Sequence, residues 1–446
     1  MPELTITPEF LEALELIEDS SQHVFVTGKA GTGKSTLLTH FKKTTKKNVA
    51  VLAPTGVAAL NVQGQTIHSF FKFRPDTNPE SVSRQAVSTT QAGLYKALDA
   101  IIIDEVSMLR ADLLDSIDRF LRKHGPKKGS FFGGVQMIFF GDLYQLPPVV
   151  TYQERALFQS EYAGPYFFNA KVINEIPLYM VELSTIYRQQ EAEFITILNA
   201  IRTNTATPQH LVTLNNRAQP ENVPTEAITL TTTNDLADTV NTQQLNLLSE
   251  KPFTWKARST GTFNERDVPT PADLALKNGA QVMLLTNDPR GRWVNGSIGV
   301  VSSIYDEPEN LAPTLDIKLS HGPHIQVSPF TWELYKYSFN EKLGSIEPQV
   351  SGTYTQYPLR LAWAVTIHKS QGKTFDQVII DLGRGTFSPG QLYVALSRCR
   401  TLEGITLRQP VQPRNIMSDS AIITFLNSFK DGFRQVGQSS LGFDEW

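Results

Sequence analysis

Eight residues constrain what this chain can fold into more than any others: GKAGTGKS, Gly28 to Ser35, lies between an apolar run, HVFVT, and a helical run, TLLTHFKK. The spacing satisfies G-x-x-x-x-G-K-[ST] in strand, loop, helix order. Glycines let such a loop turn its backbone N–H groups toward phosphate oxygens, and the helix that follows adds the positive end of its dipole. Lys34 is then placed to reach the β- and γ-phosphates of a nucleotide, and the Ser35 hydroxyl to ligate magnesium. An ordinary Gly-rich strand-to-helix turn is the alternative, and the spacing and flanks speak against it.

The rest of the chain repeats the α/β pattern that such a loop belongs to. Short apolar runs rich in β-branched residues stop at polar, Gly- or Pro-bearing turns, and helical patterns follow. The first series is His23 to Thr27, Asn48 to Ala53, Ala100 to Ile103 and Gln136 to Phe140. Each run ends in an unusual polar cluster, at the edge where open α/β sheets bind ligands. A second series predicts a second α/β domain: Pro177 to Leu183, Ala227 to Thr231, Ala280 to Leu285, Leu359 to Ala362, Val378 to Asp381 and Ile405 to Leu407. Between Trp293 and Tyr357 the pattern shifts to short alternating strands such as Ile298 to Tyr305, Leu315 to Leu319 and His324 to Val327, which predicts an inserted small β-barrel. The expected division is a first domain over 1–180 with a polar insertion at about 72–95, a second over 181–292 and 358–446, and the barrel over 293–357.

Composition limits the partners. The chain has 446 residues, 40% of them apolar, enough for at least two cores. Its formal net charge is -3, so no overall positive field marks a nucleic-acid binder, and any nucleic-acid track must be local. A single cysteine, Cys399, excludes an internal disulfide framework, and no histidine joins Cys or His at a zinc spacing. The N-terminus carries acids and no basic flank before an apolar run, and no stretch reaches a membrane-spanning length, which predicts a cytoplasmic protein without a membrane partner.

A nucleotide site needs carboxylates, and IIIDEVSM supplies them where a buried strand ends. Asp104 is expected to hold magnesium, and Glu105 to orient or deprotonate the attacking water. GDLYQLPPV places Gln145 after another apolar strand, where a neutral amide can sense the γ-phosphate or position water. Phosphoryl transfer gathers negative charge on the γ-phosphate oxygens, so cations from a facing domain can couple hydrolysis to closure. Arg188, in ELSTIYRQ, and Arg398, in YVALSRC, are both expected there, on the second domain. For a lone arginine a surface salt bridge is the ordinary alternative.

The blocks GKAGTGKS, APTGVAALNVQGQTIHSFF, IIIDEVSM, GGVQMIFFGDLYQLPPV, YRQ, PLRLAWAVTIHKSQG and YVALSRC stand in the order of superfamily-one helicases. Within them, LLDSIDRFLRKHGPKKGSFFGGVQMIFFGDLYQLPPV resembles the signature insert of Pif-type 5′→3′ DNA helicases, and LKNGAQVMLLTNDPRGRWVNGSIGVV resembles their later hallmark segment. RecD-type enzymes are the nearest relatives. The resemblance implies two RecA-like domains, a small wedge inserted in the first and a Src-homology-three-like barrel in the second. It implies ATP-driven, 5′→3′ movement on single-stranded DNA and unwinding of 5′-tailed duplex, with Mg2+, in replication, recombination and repair. Whether forks, R-loops or G-quadruplexes are preferred stays open, as does action as a monomer or a transient oligomer on DNA. A bacterial or phage source is expected.

By the same resemblance the nucleotide is held by Gly28, Ala30, Gly31, Thr32, Gly33, Lys34, Ser35, Thr36, Gln145, Arg188, Gly372 and Arg398, and DNA by Pro54, Thr55, Gly56, His68, Phe70, Thr366, His368, Lys369, Ser370 and Gln371. Backbone N–H, hydroxyl and imidazole groups suit phosphate and sugar contacts, which need no base sequence. Phe70, Phe71, Phe73 and Trp363 offer rings for base stacking, although core packing is the favoured reading for any single one of them. The basic run Arg122 to Lys128 reads as a solvated turn. One departure stands out: where the family has a glutamine that reads adenine, this chain has Leu11, which makes no such hydrogen bonds, with Gln22, nearer the strand, as the alternative source of the amide. Other readings are an RNA helicase of the same superfamily, a P-loop switch or kinase that never translocates, and a DNA-binding protein that has lost catalysis. TIHKSQG and the paired arginines argue against the second, and intact Lys34, Asp104, Glu105 and Arg398 against the third.

Overall fold

The structure, a computed structural model, describes residues 6–74, 77–189, 191–218, 227–261, 268–305, 312–320, 322–340 and 343–435. Contacts divide the chain into two units: Met1–Arg188 with Leu334–Ser351 and Asp419–Trp446, and Gln189–Glu333 with Gly352–Ser418.

The first unit is built on one sheet that includes β1 (Val24–Gly28), β2 (Val49–Ala53), β3 (Gln65–Thr66), β4 (Ala100–Ile103), β5 (Gln136–Phe140) and β6 (Leu178–Leu183). Its order is Phe433–Arg434, β6, β1, β5, β4, β2, β3, and every pair is parallel except the first. Such strands are covered on both faces, so their sequences are apolar throughout. Alternation then decides which core each side chain enters. Phe25, Ile101, Ile103, Met137 and Phe139 point into one cluster, and Val24, Val26, Ala100, Ile102, Ile138 and Phe140 into the other.

Three expectations about boundaries change here. β6 was expected to open the second domain, but it pairs with β1 along five residues and belongs to the first sheet. The C-terminal segment was also expected in the second domain. Instead, helix Ser420–Asn427 inserts Ile422 and Phe425 into the first unit's core, where Phe425 stacks on Phe168, and Phe433–Arg434 adds an antiparallel edge to β6. Arg434 is fully buried, donating to Ile173 O and Asn174 Oδ1. The third change is a piece of the expected barrel, Leu334–Ser351. It packs on the first unit because β3 is too short to cover all of β2: the Tyr337 hydroxyl accepts from Val51 N, and the Ile346 N–H donates to Asn48 Oδ1.

The insertion expected at 72–95 forms two short helices, Pro79–Ser83 and Thr89–Lys96, which bury Val82, Leu94 and Tyr95 in the first core. Lys123, from the basic run, is not merely solvated. Its Nζ donates to Ser83 O and Gln85 O and so ties helix Ala111–His124 to this insertion.

In the second unit a parallel sheet runs Ala364–Thr366, Ile228–Thr231, Val378–Asp381, Ile405–Leu407. The runs Ala280–Leu285 and Leu359–Ala362, expected in this sheet, are not part of it. Gln281–Leu284 and Leu359–Leu361 pair antiparallel with each other, in a five-stranded sheet with Ile298–Tyr305, Thr314–Leu319 and His324–Val327. The inserted β region is extended by Arg258–Gly261, paired antiparallel with residues 352–355, and by Phe253–Lys256, paired antiparallel with Asp273–Leu276. Its core gathers Leu274, Val282, Trp293, Val301, Ile317 and Tyr357. Among the described residues no helix is long and apolar enough to cross a membrane.

Candidate nucleotide and nucleic-acid site

The nucleotide loop follows β1, whose two neighbours in the sheet, β5 and β6, both run parallel to it. Gly28, Gly31 and Gly33 adopt φ of 147°, 83° and 89°, which side chains rarely tolerate. A Cβ at Gly28 would stand 2.6 Å from Leu183 O, and one at Gly31 2.5 Å from the Cβ of Arg188. Lys34 opens helix Lys34–Thr44 and folds back, Nζ donating to Gly28 O at 2.7 Å and Lys29 O at 2.9 Å. This arc of carbonyls holds the ammonium at the loop mouth. Thr32 closes the turn by donating from Oγ1 to Lys29 O, Ala30 is buried, and Ser35 and Thr36 are exposed on the first helical turn.

Two strands from β1, β4 ends in Asp104 and Glu105. Burial pushes the Asp104 carboxyl well above its ordinary range, the Glu105 charge pushes it further, and Lys34 pulls it back. Glu105 itself sits in left-handed backbone, φ 52°, a conformation that costs a non-glycine residue about 1–3 kcal/mol and gathers at functional turns. Between these strands, β5 leads to Asp142, which is 1% exposed, and to the buried Gln145. Gln145 N–H donates to Asp142 O, and its amide lies 3.5 Å from Asp142 Oδ2. Sequence reasoning passed over Asp142, because nothing in GDLYQ separates a buried acid from a turn former.

Arg188 was expected on the second domain. The chain places it in the first unit, directly after β6, with its backbone against Gly31. Its neighbour Tyr187, also not singled out, donates N–H to Gly31 O, and its ring lies over Gly33. Arg398 does belong to the second unit, 1% exposed, with Nε donating to Val394 O, Nη1 to Lys373 O and Nη2 to Ser397 Oγ. Gly372, φ 77°, lies in that unit too, with open space where a Cβ would be.

Of the expected DNA residues in the first unit, Pro54 and Thr55 are half-buried at the end of β2, and Thr55 Oγ1 caps helix Gly56–Asn61 by accepting from Ala58 N. His68 is held neutral, first by burial and then by the charge of Arg110. Phe70 is 2% exposed and packs edge-on against Phe71, Tyr95 and Tyr337, with its carbonyl accepting from Tyr95 Oη. Its ring is core and not a stacking platform. Phe71 and Phe73 share that cluster.

In the second unit, Thr366 ends a strand of the parallel sheet and accepts from Lys369 N. Ser370 is fully buried, and its hydroxyl donates to Ile367 O, so it shapes the turn instead of facing outward. Lys369 is exposed, and His368 is kept neutral by burial. Arg360 adds charge nearby: it depresses the Lys369 ammonium, which burial lowers first, while Asp238 opposes. Gln371 ends this turn, its N–H donating to His368 O.

A PIF1-like helicase model matches residues 7–209, and a UvrD-like helicase C-terminal domain model matches 361–403. The chain is 32% identical to the ATP-dependent DNA helicase Pif1 of Bdellovibrio bacteriovorus, over 96% of this chain and 93% of that one. It is 29% identical to the ATP-dependent DNA helicase PIF1 of Emericella nidulans, over 95% of this chain but only 64% of that longer one. Among solved structures, Bacteroides sp Pif1 in complex with ADP-AlF4 superposes with a TM-score of 0.87 at 37% identity, over 97% of this chain and 99% of that one. Bacteroides Pif1 bound to ssDNA gives 0.69 at the same identity and coverage.

Proposed function

The chain belongs to the PIF1-like helicases, a family of ATP-dependent DNA helicases, and on that premise we propose that it moves 5′→3′ along single-stranded DNA and unwinds 5′-tailed duplex, in replication, recombination and repair. One observation carries the reading: Lys34, the half-buried pair Asp104 and Glu105, and Gln145 stand at the ends of β1, β4 and β5, neighbours in one sheet. That is the set phosphoryl transfer needs, with a cation for the phosphates, carboxylates for metal and water, and a neutral amide beside them.

Asp104 and Ser35 suit a magnesium ion, because two adjacent carboxylates against one lysine leave a negative charge that a hard, oxygen-seeking cation would balance. Bound there, Mg2+ would draw charge from the phosphate oxygens. Lys34 orients the β- and γ-phosphates, and Glu105, aimed by its left-handed backbone, takes the proton of the attacking water. Arg188, beside the P-loop, and Arg398 are assigned the transition-state charge. For DNA the reading uses Pro54, Thr55, Gly56, His68, Thr366, His368, Lys369 and Gln371 as sequence-independent contacts, and it drops Phe70 as a stacking ring and Ser370 as a side-chain contact.

The test is ATPase activity with and without single-stranded DNA or RNA, followed by unwinding of duplexes with a 5′ or a 3′ tail. Stimulation by DNA and opening of the 5′-tailed duplex alone are expected. Preference for the 3′ tail would refute the polarity, and stimulation by RNA alone would refute the substrate.

A further inference from the structure

Lys373 has no part in the nucleotide or DNA contacts assigned above, yet it is only 8% exposed. Buried lysines are rare unless something holds the ammonium. Here its Nζ donates to Asn295 Oδ1 at 3.0 Å. Asn295 belongs to the loop between Gln281–Leu284 and Ile298–Tyr305, in the inserted β region, and its own N–H is fixed by Asn287 Oδ1. The next residue, Gly296, has φ 101°, and a Cβ there would stand 3.4 Å from the Lys373 Cβ, so the loop backbone lies along the lysine stem.

The other side of Lys373 faces Arg398. The Lys373 carbonyl accepts from Arg398 Nη1 at 3.3 Å, and two residues on, Phe375 N–H donates to Arg398 O at 2.9 Å. One short segment thus supports both the guanidinium and the backbone of Arg398, while its lysine ammonium is anchored on the loop that joins two strands of the five-stranded sheet. All of these groups lie in the second unit.

We propose that Lys373 is a positioning residue that couples the Trp293–Ser297 loop of the inserted β region to Arg398, and so sets the rate of hydrolysis without touching nucleotide or DNA. The proposal rests on the reading that Arg398 serves ATP hydrolysis. Moving a reacting group by about 1 Å can cost roughly 100-fold in rate, so a support of this kind is a large lever. It also has a signature. The charged groups facing Lys373 are Arg360 and Arg398, both cationic, and burial, then these two charges, lower its ammonium to about 8. The charge-assisted bond to the neutral Asn295 is therefore lost as the pH rises through about 8.

The experiment measures DNA-stimulated ATPase between pH 6.5 and 9.5 for the wild type, Lys373→Met, Lys373→Arg and Asn295→Asp, with thermal melts to check folding. Expected are an alkaline fall in wild-type kcat near pH 8, and a kcat roughly 10–100-fold lower in Lys373→Met with KM for ATP and DNA affinity within about twofold. Lys373→Arg, which does not titrate in this range, should recover much of the rate and lose the alkaline limb. Asn295→Asp, with a carboxylate at the anchor, should move that limb to higher pH. A Lys373→Met enzyme with wild-type kcat and the same pH profile overturns the proposal, as does an Asn295→Asp limb that does not move. A wild type without DNA-stimulated ATPase would instead bring down the helicase reading, and the coupling with it.

Discussion

His23 precedes β1, the strand that carries the nucleotide loop, and accepts a hydrogen bond at Nδ1 from Met137 N on β5 at 3.0 Å. That bond requires a ring whose Nδ1 carries no proton. Burial against Phe132 lowers the imidazole from 6.5 to about 4. Between those values the unfolded chain binds a proton that the folded one refuses. The stability His23 supports is therefore complete above pH 6.5 and lost as the pH falls toward 4. The full shift corresponds to roughly 3 kcal/mol, most of which is lost by pH 4.5. Tryptophan fluorescence is a poor reporter of the effect, because four of the five tryptophans, Trp255, Trp293, Trp332 and Trp363, lie in the second unit. Amide hydrogen exchange read on peptides spanning Val24–Gly28 and Gln136–Phe140 reports the right place. His23→Asn supplies a non-titrating oxygen where Nδ1 stood, so its protection, corrected for intrinsic exchange, should fall less between pH 7.5 and pH 4.5, by roughly 2–3 kcal/mol. If wild type and variant lose protection in parallel, His23 is not the group responsible.

Lys34→Ala is expected to remove ATP turnover and unwinding while single-stranded DNA binding persists, and Glu105→Gln to bind ATP but hydrolyse it poorly; a near-normal ATPase in Lys34→Ala would show the loop assignment to be mistaken. Arg398→Ala should lower kcat roughly 10³-fold while ATP affinity changes little, measured by steady-state kinetics beside nucleotide titration. Leu11 is 49% exposed on helix Pro8–Glu18, and an apolar side chain discriminates between bases by only about 1–3 kcal/mol. GTP and CTP should be used within about tenfold of ATP, and Leu11→Gln should sharpen the preference; kcat/KM for the four nucleotides decides, and strict ATP use by the wild type, unchanged by Leu11→Gln, would place adenine reading elsewhere.

What the sequence revealed was whatever is local. GKAGTGKS, the IIIDE strand end and four of the five parallel strands through Phe140 are patterns in consecutive residues, and those four lie within a residue of where periodicity puts them, while the two-residue β3 gave no pattern. What it hid was the choice of partner. LYMVEL and QVMLLT read alike as buried strands, yet the first lies beside β1 in a parallel sheet and the second joins an antiparallel one. Only distant residues decide that. Phe70 was ambiguous for a similar reason: a ring next to a DNA-binding motif looks the same in sequence whether it faces a base or Tyr95 and Tyr337. Arg188 was assigned to the second domain because β6 was, and one strand's placement moved them both. Lys373 carried no signal, since a lysine after a glycine turn reads as solvent-facing until its anchor on Asn295 is seen.

The return of the chain to its first sheet bears on biogenesis. Phe425 and Arg434 complete the core and the β6 edge of the unit that holds the nucleotide loop, but they are made long after Arg188. At elongation rates of roughly 5–20 residues per second, that unit waits about ten to fifty seconds on the ribosome with the outer edge of β6 uncovered and the hollow among Phe25, Phe167 and Phe168 unfilled. Exposed strand edges and apolar hollows are what holding chaperones recognise and what nucleates aggregation. A nascent chain of this protein therefore keeps an open strand edge and exposed apolar surface until Phe433–Arg434 emerges. A message truncated between Ser418 and Ile422 yields every motif of the enzyme on a first unit that lacks Ile422, Phe425 and the Phe433–Arg434 edge.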